Sequence, residues 1–267
     1  APKRLERLET SMPKVLISDK LSPNAADIFK NRGIVVDFRP GLSEGELREA
    51  IRDADGLAIR SATTVTPELL DAAENLKVVG RAGIGVDNVN IEAATQRGVV
   101  VMNTPFGNSV TTAEHTIAMI MSLARQLPLA NASTHAGRWE KSAFMGMEVA
   151  GKTLGLIGCG NIGSIVADRA QGLKMRVVVC DPFLSAERAM DLSIEKVDFD
   201  ELLTRADIVS IHAPLTDGTR NLLNADAIAQ MRDGVRIVNC ARGGIIVEAD
   251  LCQAIKSGKT VSYTHLT

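Results

Sequence analysis

The chain lacks several features that would point to particular classes of protein. Aromatic residues make up only 3% of its 267 residues, the formal net charge is −2, and no basic run stands out. A nucleic acid or an anionic membrane surface is therefore not an expected partner. No apolar stretch reaches the roughly 18 residues of a membrane span. The longest candidate, 109–125, contains Glu114, His115 and Arg125, which indicates a helix buried in a water-soluble protein.

Cysteine is also scarce. None of the four cysteines forms a CxxC pair, and no His/Cys cluster has the spacing of metal ligands. The sequence therefore predicts no disulfide and no metal site, and it favours a reducing, cytoplasmic location. Residues 1–11 are polar and lack the apolar core of a signal peptide. We expect Met12 to be the natural start and residues 1–11 to be a disordered extension.

What the chain does contain is typical of a globular α/β protein. Apolar residues make up 45% and charged residues 23%, enough for a sizeable core. Short β-branched runs alternate with helical patterns, which predicts parallel sheets. The predicted strands are 14–18, 34–38, 56–60, 77–80, 99–102, 153–157, 175–180, 195–198, 207–211, 236–240 and 260–263. The predicted helices include 22–31, 43–53, 67–75, 90–97, 109–126 and 161–172.

A stretch rich in turn formers, residues 103–112, interrupts this alternation and predicts a domain boundary near 105–110. The first domain would span 12–107 and the second 108–267. A second polar stretch makes 129–150 a predicted loop. The shared α/β pattern suggests two related folds, although no sequence repeat is visible.

A glycine-rich loop lies within the second domain. Strand 153–157 leads into Gly158-Cys159-Gly160-Asn161-Ile162-Gly163, and a helix follows. In a dinucleotide-binding unit, Gly158 permits the tight turn, Gly160 lets the backbone approach a pyrophosphate, and Gly163 lets helix and strand pack closely. The N-terminus of the helix offers N–H groups to the phosphates.

Asp181 indicates which dinucleotide binds. It ends the next strand, 18 residues past Gly163, where a carboxylate accepts hydrogen bonds from a ribose 2′-OH and repels a 2′-phosphate. No arginine follows in the immediate segment, so the unit favours NAD over NADP. The alternative is an ordinary glycine-rich turn with a surface aspartate.

Other candidates follow two later strands, because ligands of open α/β sheets lie beyond the carboxyl ends of the strands. Ala213 and Pro214 come after strand 207–211, and Ala241 and Arg242 come after strand 236–240. Arg242 could pair bidentately with a substrate carboxylate, or form a surface ion pair with a nearby Glu. His115 is more typical of a packed residue than of a base.

Longer segments resemble a known family, the D-isomer-specific 2-hydroxyacid dehydrogenases. The resemblance runs from Met12 to about Lys259 and is carried by IRSATTVTPELLDAAENLKVVGRAGIGVDNVN, VMNTPFGNSVTTAEHTIAMIMSLARQLP, GRWEKSAFMG, GKTLGLIGCGNIG and VNCARGGII. It implies a flavodoxin-like substrate domain and a doubly wound NAD-binding domain. Within the family, the chain is most similar to members that oxidise 3-phospho-D-glycerate to 3-phosphooxypyruvate in L-serine biosynthesis.

The resemblance also implies roles for particular residues. Arg242 would be the catalytic arginine, holding the substrate's carboxylate and keto oxygen. The substrate residues would be Arg60 and Ser61 near the phosphate end, with Gly83, Gly85 and Asn108. The cofactor residues would be Ile84, Gly158, Gly160, Asn161, Ile162, Gly163, Asp181, Ala213, Pro214, Cys240, Ala241 and Arg242.

The chain departs from the family's pattern near its end. The family's proton-transferring His and its supporting Glu come after the strand that begins near Gly258. Here the chain reads TVSYTHLT, and His265 follows the last helix too closely for that role. We therefore expect the chain to lack that pair, the segment that returns to the first domain, and any regulatory domain. The cofactor domain should also lose strand pairing. Val247 stands where the family usually has Asp.

Three functions remain open. The first is oxidation of a phosphorylated 2-hydroxy acid, and the second is oxidation of another D-2-hydroxy acid such as glycerate or lactate. The third is NAD sensing without catalysis, as in corepressors that share the fold. By analogy we expect a homodimer or homotetramer, with 109–126 and 129–150 as interface material.

Overall fold

The computed structural model describes residues 12–264, and of residues 262–264 only the backbone. The expectations for residues 1–11 and His265 lie outside the described residues. The chain divides into two compact units between Asn108 and Ser109. No helix in the described part is long and apolar enough to cross a membrane.

The first unit is a five-stranded parallel sheet. Its strands are β1 (Lys14–Ile17), β2 (Val35–Phe38), β3 (Gly56–Ile59), β4 (Val78–Arg81) and β5 (Val100–Asn103), in the order β2-β1-β3-β4-β5. The helices are α1 (Pro23–Lys30), α2 (Glu44–Ala50), α3 (Pro67–Ala72) and α4 (Ile91–Gln96). This strand order is that of a flavodoxin-like sheet, and it reverses direction between β1 and β3.

Side-chain caps set where the helices of this unit begin. The Ser43 hydroxyl accepts from the amide of Glu46, whose carboxylate accepts from the amide of Ser43, so α2 begins with a capping box. Thr66 and Asn90 cap α3 and α4 by accepting from the amides of Leu69 and Ala93, without the reciprocal bond of a capping box. Helices α2, α3 and α4 bury apolar faces against the central strands, where Leu16, Ile59 and Val79 have almost no exposed surface.

The second unit is a six-stranded parallel sheet. Its strands are β6 (Thr153–Ile157), β7 (Arg176–Cys180), β8 (Glu195–Lys196), β9 (Ile208–Ile211), β10 (Val235–Asn239) and β11 (Thr260–Thr264), in the order β11-β10-β9-β6-β7-β8. The helices are α5 (Ser109–Arg125), α6 (Leu127–His135), α7 (Asn161–Gly172), α8 (Ala186–Asp191), α9 (Phe199–Arg205), α10 (Ala225–Gln230) and α11 (Glu248–Lys256).

This order is that of a doubly wound dinucleotide-binding sheet. The chain builds outward from β6 to β8, then returns to add β9, β10 and β11 on the other side. The direction therefore reverses between β6 and β9, and a crevice for a ligand forms at such a point. The predicted fold class, with one flavodoxin-like and one doubly wound sheet, is confirmed.

One expectation was wrong. Residues 129–150 are not all loop, because α6 occupies Leu127–His135 and a 3-10 helix occupies Lys141–Phe144. Pro128 stands in the first turn of α6, where a missing N–H costs nothing. The predicted strand 260–263 is confirmed, since Thr260–Thr264 pairs with Val235–Asn239 as the sixth strand of the second sheet. The buried Thr260 hydroxyl adds a 2.6 Å bond to the carbonyl of Val235.

Candidate cofactor and substrate sites

The predicted cofactor residues of the second unit gather at one edge of its sheet. All neighbouring strands are parallel, so the loops that follow β6, β7, β9 and β10 leave the sheet on the same side. The glycine loop follows β6, Asp181 follows β7, Ala213 follows β9, and Arg242 follows β10. The reversal point between β6 and β9 lies at the centre of this group.

Two glycines of the loop sit where no side chain fits. Gly158 has a φ of +94°, and a Cβ there would lie 2.8 Å from the carbonyl carbon and oxygen of His212 and 3.0 Å from the amide nitrogen of Ala213. A Cβ on Gly163 would overlap the carbonyl oxygen of Gly158 and lie 3.5 Å from Cβ of His212. Strand β6, helix α7 and the end of β9 therefore meet through glycine backbone.

Gly160 differs from its two neighbours. A Cβ there would meet nothing within 4 Å, so the fold itself does not require glycine at this position. Gly160 is the N-cap of α7 and, as glycine, provides no side-chain cap to the helix. Asn161 and Ile162 begin the helix, and Ile162 packs into the apolar core. Open backbone at an uncapped helix N-terminus suits a pyrophosphate.

Asp181 holds the loop from the neighbouring strand. One carboxylate oxygen accepts from the amide of Cys159 and the other from the amide of Phe183, each at 2.7 Å. Each carboxylate oxygen has a further lone pair that a ribose hydroxyl can use. The residue predicted to select NAD thus also fastens the glycine loop to the end of β7.

His212 supports the loop from the other side. Its amide donates to the carbonyl of Ile157 at 2.7 Å, and its Nε2 lies 2.9 Å from Oγ of Ser210. Burial lowers the pKa of His212 to about 4, so the ring is neutral near pH 7. Ala213 packs against the core, whereas Pro214 is exposed and its carbonyl accepts from the hydroxyl of Thr219.

Asn239, the last residue of β10, shapes the loop that carries Arg242. Its side-chain oxygen accepts from the amide of Ala241 at 3.0 Å, and its nitrogen donates to the carbonyl of Arg242 at 2.8 Å. The Arg242 guanidinium donates to the carbonyl of Ala241 at 2.9 Å. Burial raises the pKa of the Cys240 thiol, as it does for Cys159. These cysteines therefore act as small apolar residues and not as nucleophiles.

The predicted substrate residues of the first unit follow β3 and β4, which are parallel neighbours. Arg60 and Ser61 are exposed at the start of the loop 60–63. The buried carboxylate of Asp19, two residues beyond β1, accepts from the amides of Arg60, Ala62 and Thr63. This loop lies at the point where the first sheet reverses direction.

The loop after β4 also rests on neighbouring side chains. A Cβ on Gly83 would overlap the guanidinium of Arg81, the far end of a flexible side chain, so Arg81 packs directly over the Gly83 backbone. The carbonyl of Ile84 accepts from the Asn103 side chain at 2.7 Å, and the amide of Thr104 donates to the carbonyl of Gly83 at 3.1 Å. Gly85 continues the loop, and Asn108 is exposed at the end of the first unit.

Several residues that build these loops do not stand out in the sequence. They are Asp19, Asn88, Ser210, His212 and Asn239, all polar residues at or just beyond strand ends or within the loops that follow them. For Asp19 and Asn239, the position at or just beyond a strand end could have indicated a role in shaping these loops. Their partners depend on strand order, which the sequence pattern alone does not specify.

The second unit is, by fold and site, a dinucleotide-binding domain of the doubly wound α/β class. The model for the "D-isomer specific 2-hydroxyacid dehydrogenase, NAD binding domain" matches residues 117–264, more than half of the chain. The chain belongs to the D-isomer specific 2-hydroxyacid dehydrogenase family, and its cofactor is NAD.

Curated relatives named D-3-phosphoglycerate dehydrogenase match nearly the whole chain. The protein from Archaeoglobus fulgidus is 45% identical and that from Homo sapiens 47% identical, each over 93% of this chain and 47% of its own length. The protein from Bacillus subtilis is 45% identical over 92% of this chain and 47% of its own. The chain thus spans about half the length of the curated relatives it matches.

Solved structures share the fold. A protein from Thermus thermophilus superposes with a TM-score of 0.88 at 33% identity, covering 95% of this chain and 82% of that one. A glyoxylate reductase from Paecilomyces thermophila gives 0.87 at 27% identity, over 97% and 83%. A D-lactate dehydrogenase from Aquifex aeolicus, complexed with NAD and lactic acid, gives 0.85 at 24% identity, over 95% and 76%.

Proposed function

We propose that the chain provides the cofactor and substrate sites of an NAD-dependent D-3-phosphoglycerate dehydrogenase. Such an enzyme oxidises 3-phospho-D-glycerate to 3-phosphooxypyruvate, the first step of L-serine biosynthesis. One observation carries the proposal: relatives with that name are 45–47% identical over 92–93% of the chain. The solved lactate dehydrogenases and glyoxylate reductase are only 24–28% identical.

The geometry of the second unit supports the cofactor part of this proposal. The pyrophosphate would lie over Gly160 and the first amides of α7, where the backbone is open. The adenosine ribose would bind the carboxylate of Asp181. Bound NAD supplies the acceptor for the hydride that leaves C2 of the substrate. The loop from Cys240 to Arg242, with Ala213 and Pro214, would line the rest of the cofactor site.

Arg242 would orient the substrate by its carboxylate and keto oxygen. A guanidinium has five N–H donors in a planar fork, and the bond to the Ala241 carbonyl uses one of them. Bidentate pairing fixes the orientation of a carboxylate, and the positive charge stabilises negative charge that develops on the keto oxygen. In the first unit, Gly83, Ile84 and Gly85 would offer backbone groups to the substrate.

The first unit supports a phosphorylated substrate. Arg60 supplies a guanidinium and Ser61 a hydroxyl, both exposed beside the reversal point of the sheet. A phosphate is the natural partner of such a pair. Asn108 would contribute to the substrate site as well. We further propose a cytoplasmic enzyme that assembles as a homodimer or homotetramer.

The proposal is tested by titrating the 267-residue chain with three acids in the presence of NADH, using calorimetry. We expect 3-phospho-D-glycerate to bind about 10-fold or more tightly than D-glycerate or D-lactate, since charge-assisted hydrogen bonds contribute about 1.5–3 kcal/mol. Arg60→Ala should remove this preference. Arg32→Ala changes an exposed arginine of the same unit and should leave it intact.

The two alternatives give different results in the same titration. Equal affinity for all three acids would favour a dehydrogenase of the glycerate or lactate class. Binding of NADH without binding of any hydroxy acid would favour an NAD sensor. Either result would overturn the assignment of a phosphorylated substrate.

A further inference from the structure

Asp19 is a buried carboxylate at the point where the first sheet reverses direction. Only 4% of its surface is exposed. One oxygen accepts from the amides of Arg60, Ala62 and Thr63 at 2.6, 3.2 and 3.2 Å, and the other accepts from the Thr63 hydroxyl at 2.6 Å. A buried charge is costly unless it is hydrogen-bonded in this manner. The buried Asp19 carboxylate therefore needs the donors of the loop, and the loop needs the carboxylate to hold its amides in this arrangement.

The hydroxyl groups beside Asp19 form a directed chain. Thr63 donates its only hydroxyl proton to Asp19, so the Ser18 hydroxyl, 2.8 Å away, must be the donor to Thr63. Ser18 and Thr63 are both buried. Bonds in such a chain polarise and strengthen one another, and this chain holds Thr63 at the far end of the loop.

Asn88 binds the backbone carbonyl groups of the same loop. Its Nδ2 donates to the carbonyl oxygens of Arg60 and Thr63, each at 2.7 Å. The amide orientation follows from this contact, because the side-chain oxygen in that place would face two other acceptors. Both ends of the loop are thus held from two sides.

One amide of the loop is left over. Among the described residues, the Ser61 amide donates to no protein acceptor, whereas the amides of Arg60, Ala62 and Thr63 all turn towards Asp19. Ser61 is exposed and follows the exposed Arg60. The network therefore turns three amides inward and leaves one amide, one hydroxyl and one guanidinium on the outer side.

We propose that Asp19 and Asn88 are positioning residues, which hold the loop 60–63 so that Arg60 and Ser61 together receive the phosphate group of the substrate. This inference rests on the proposed function, because it assumes a phosphorylated ligand at Arg60. Asp19 and Asn88 themselves do not touch the ligand. They act by setting the backbone from which the ligand's partners project.

The experiment compares two ligands that differ only in the phosphate. Dissociation constants of 3-phospho-D-glycerate and D-glycerate are measured by calorimetry on the 267-residue chain with NADH, for Asp19→Asn and Asn88→Ala. We expect each variant to bind the phosphorylated acid about 10-fold more weakly, the loss of roughly one charge-assisted hydrogen bond. Affinity for D-glycerate and for NADH should change less than about twofold, within the spread of surface substitutions.

A matched control lies at the opposite end of the same two strands. Asp55 precedes β3, and its carboxylate accepts from the amide of Lys14 at 2.9 Å. Asp55→Asn therefore also weakens a hydrogen bond that a backbone amide donates to a carboxylate. It should lower thermal stability without changing the ratio of the two affinities. Asn88 is only partly buried, so Asn88→Ala keeps the test informative even if Asp19→Asn does not fold.

The outcomes separate this inference from the proposed function. If the unchanged chain prefers the phosphorylated acid and both variants keep that preference, the positioning role is wrong and the proposed function stands. If the unchanged chain shows no preference, the phosphorylated substrate is wrong, and the positioning role is overturned with it. A lost preference in the variants together with an unchanged ratio in Asp55→Asn supports the inference.

Discussion

At the scale of the residue, the glycines of the loop 158–163 have different reasons to be glycine. A Cβ on Gly163 would overlap the carbonyl of Gly158, whereas a Cβ on Gly160 would meet open space. Packing within the protein therefore constrains Gly163. At Gly160 packing sets no limit, so a ligand that approaches the backbone gives a reason for glycine that packing does not.

This difference predicts opposite effects of two similar substitutions. Gly163→Ala should destabilise the fold by about 1–3 kcal/mol, the usual cost of overpacking. Gly160→Ala should lower stability by less than about 1 kcal/mol, the difference between glycine and alanine at an N-cap, but weaken NAD binding about 10-fold or more, because a methyl group would lie against the pyrophosphate. Urea unfolding and fluorescence titration with NADH measure the two effects. Gly172→Ala, at an open position in α7, should impair neither, and full NADH affinity in Gly160→Ala would contradict the prediction.

His212 makes stability depend on pH. Its pKa falls from 6.5 to about 4 on burial, so between these values the unfolded chain binds a proton that the folded chain does not. Stability therefore falls as the pH drops from about 6.5 to about 4, by about 3 kcal/mol in total. Denaturant unfolding at pH 7.0, 5.5 and 4.5 should show a shallower decline for His212→Asn than for the unchanged chain. Parallel declines would show that His212 is not the group responsible.

At the scale of the element, some helices of the second unit begin with a side-chain cap and others do not. Asp198 caps α9 through a 2.8 Å bond to the amide of Glu201, and Asn224 caps α10. Helix α11 instead begins after Val247, which provides no side-chain cap. Val247 occupies the position where the family resemblance leads one to expect Asp, and the structure gives that departure a physical meaning.

Restoring the cap should stabilise the protein. Val247→Asp places a carboxylate where it can accept from the first amides of α11, and we expect a gain of about 0.5–2 kcal/mol in the free energy of unfolding. Val247→Ala removes the same side chain without adding an acceptor and should give no gain. Chemical denaturation of the three proteins at pH 7 decides the matter. Equal midpoints for Val247→Asp and Val247→Ala would show that the amides are already satisfied.

At the scale of the whole molecule, bound NAD should stabilise the chain by mass action. A ligand that binds only the folded state at 100 times its dissociation constant adds about 2.7 kcal/mol. NADP should add much less at the same concentration, because its 2′-phosphate would meet the carboxylate of Asp181. Differential scanning calorimetry with each dinucleotide measures this. Asp181→Ala should reduce the difference between the two, and an equal effect of NADP on the unchanged chain would contradict the role of Asp181.

Much of the fold follows from local pattern in the sequence. β-Branched runs such as 14–18 and 207–211 predict buried parallel strands, and the structure places strands at Lys14–Ile17 and Ile208–Ile211. Helix α6 was not predicted because Pro128 and neighbouring polar residues resemble a loop, although proline fits a first helical turn. The glycine loop was visible because its chemistry is local.

The network around Asp19 could not be read in advance, because its parts are 41 to 44 residues apart. Only the order of strands brings β1 beside β3. The same holds for Asp181 and Cys159, which meet because β6 and β7 are neighbours. Sequence pattern identified the residues that would face a ligand, whereas the residues that hold them in place depend on topology.

The two units share one hydrogen-bonding arrangement at the carboxyl ends of their strands. In each, an aspartate beyond one strand accepts backbone amides from the loop of the adjacent strand: Asp19 in the first unit and Asp181 in the second. Each loop therefore takes its shape as part of folding, before any ligand arrives. Conformational entropy that a mobile loop would lose on binding is lost during folding instead. Binding at such preorganised loops should leave backbone order there almost unchanged.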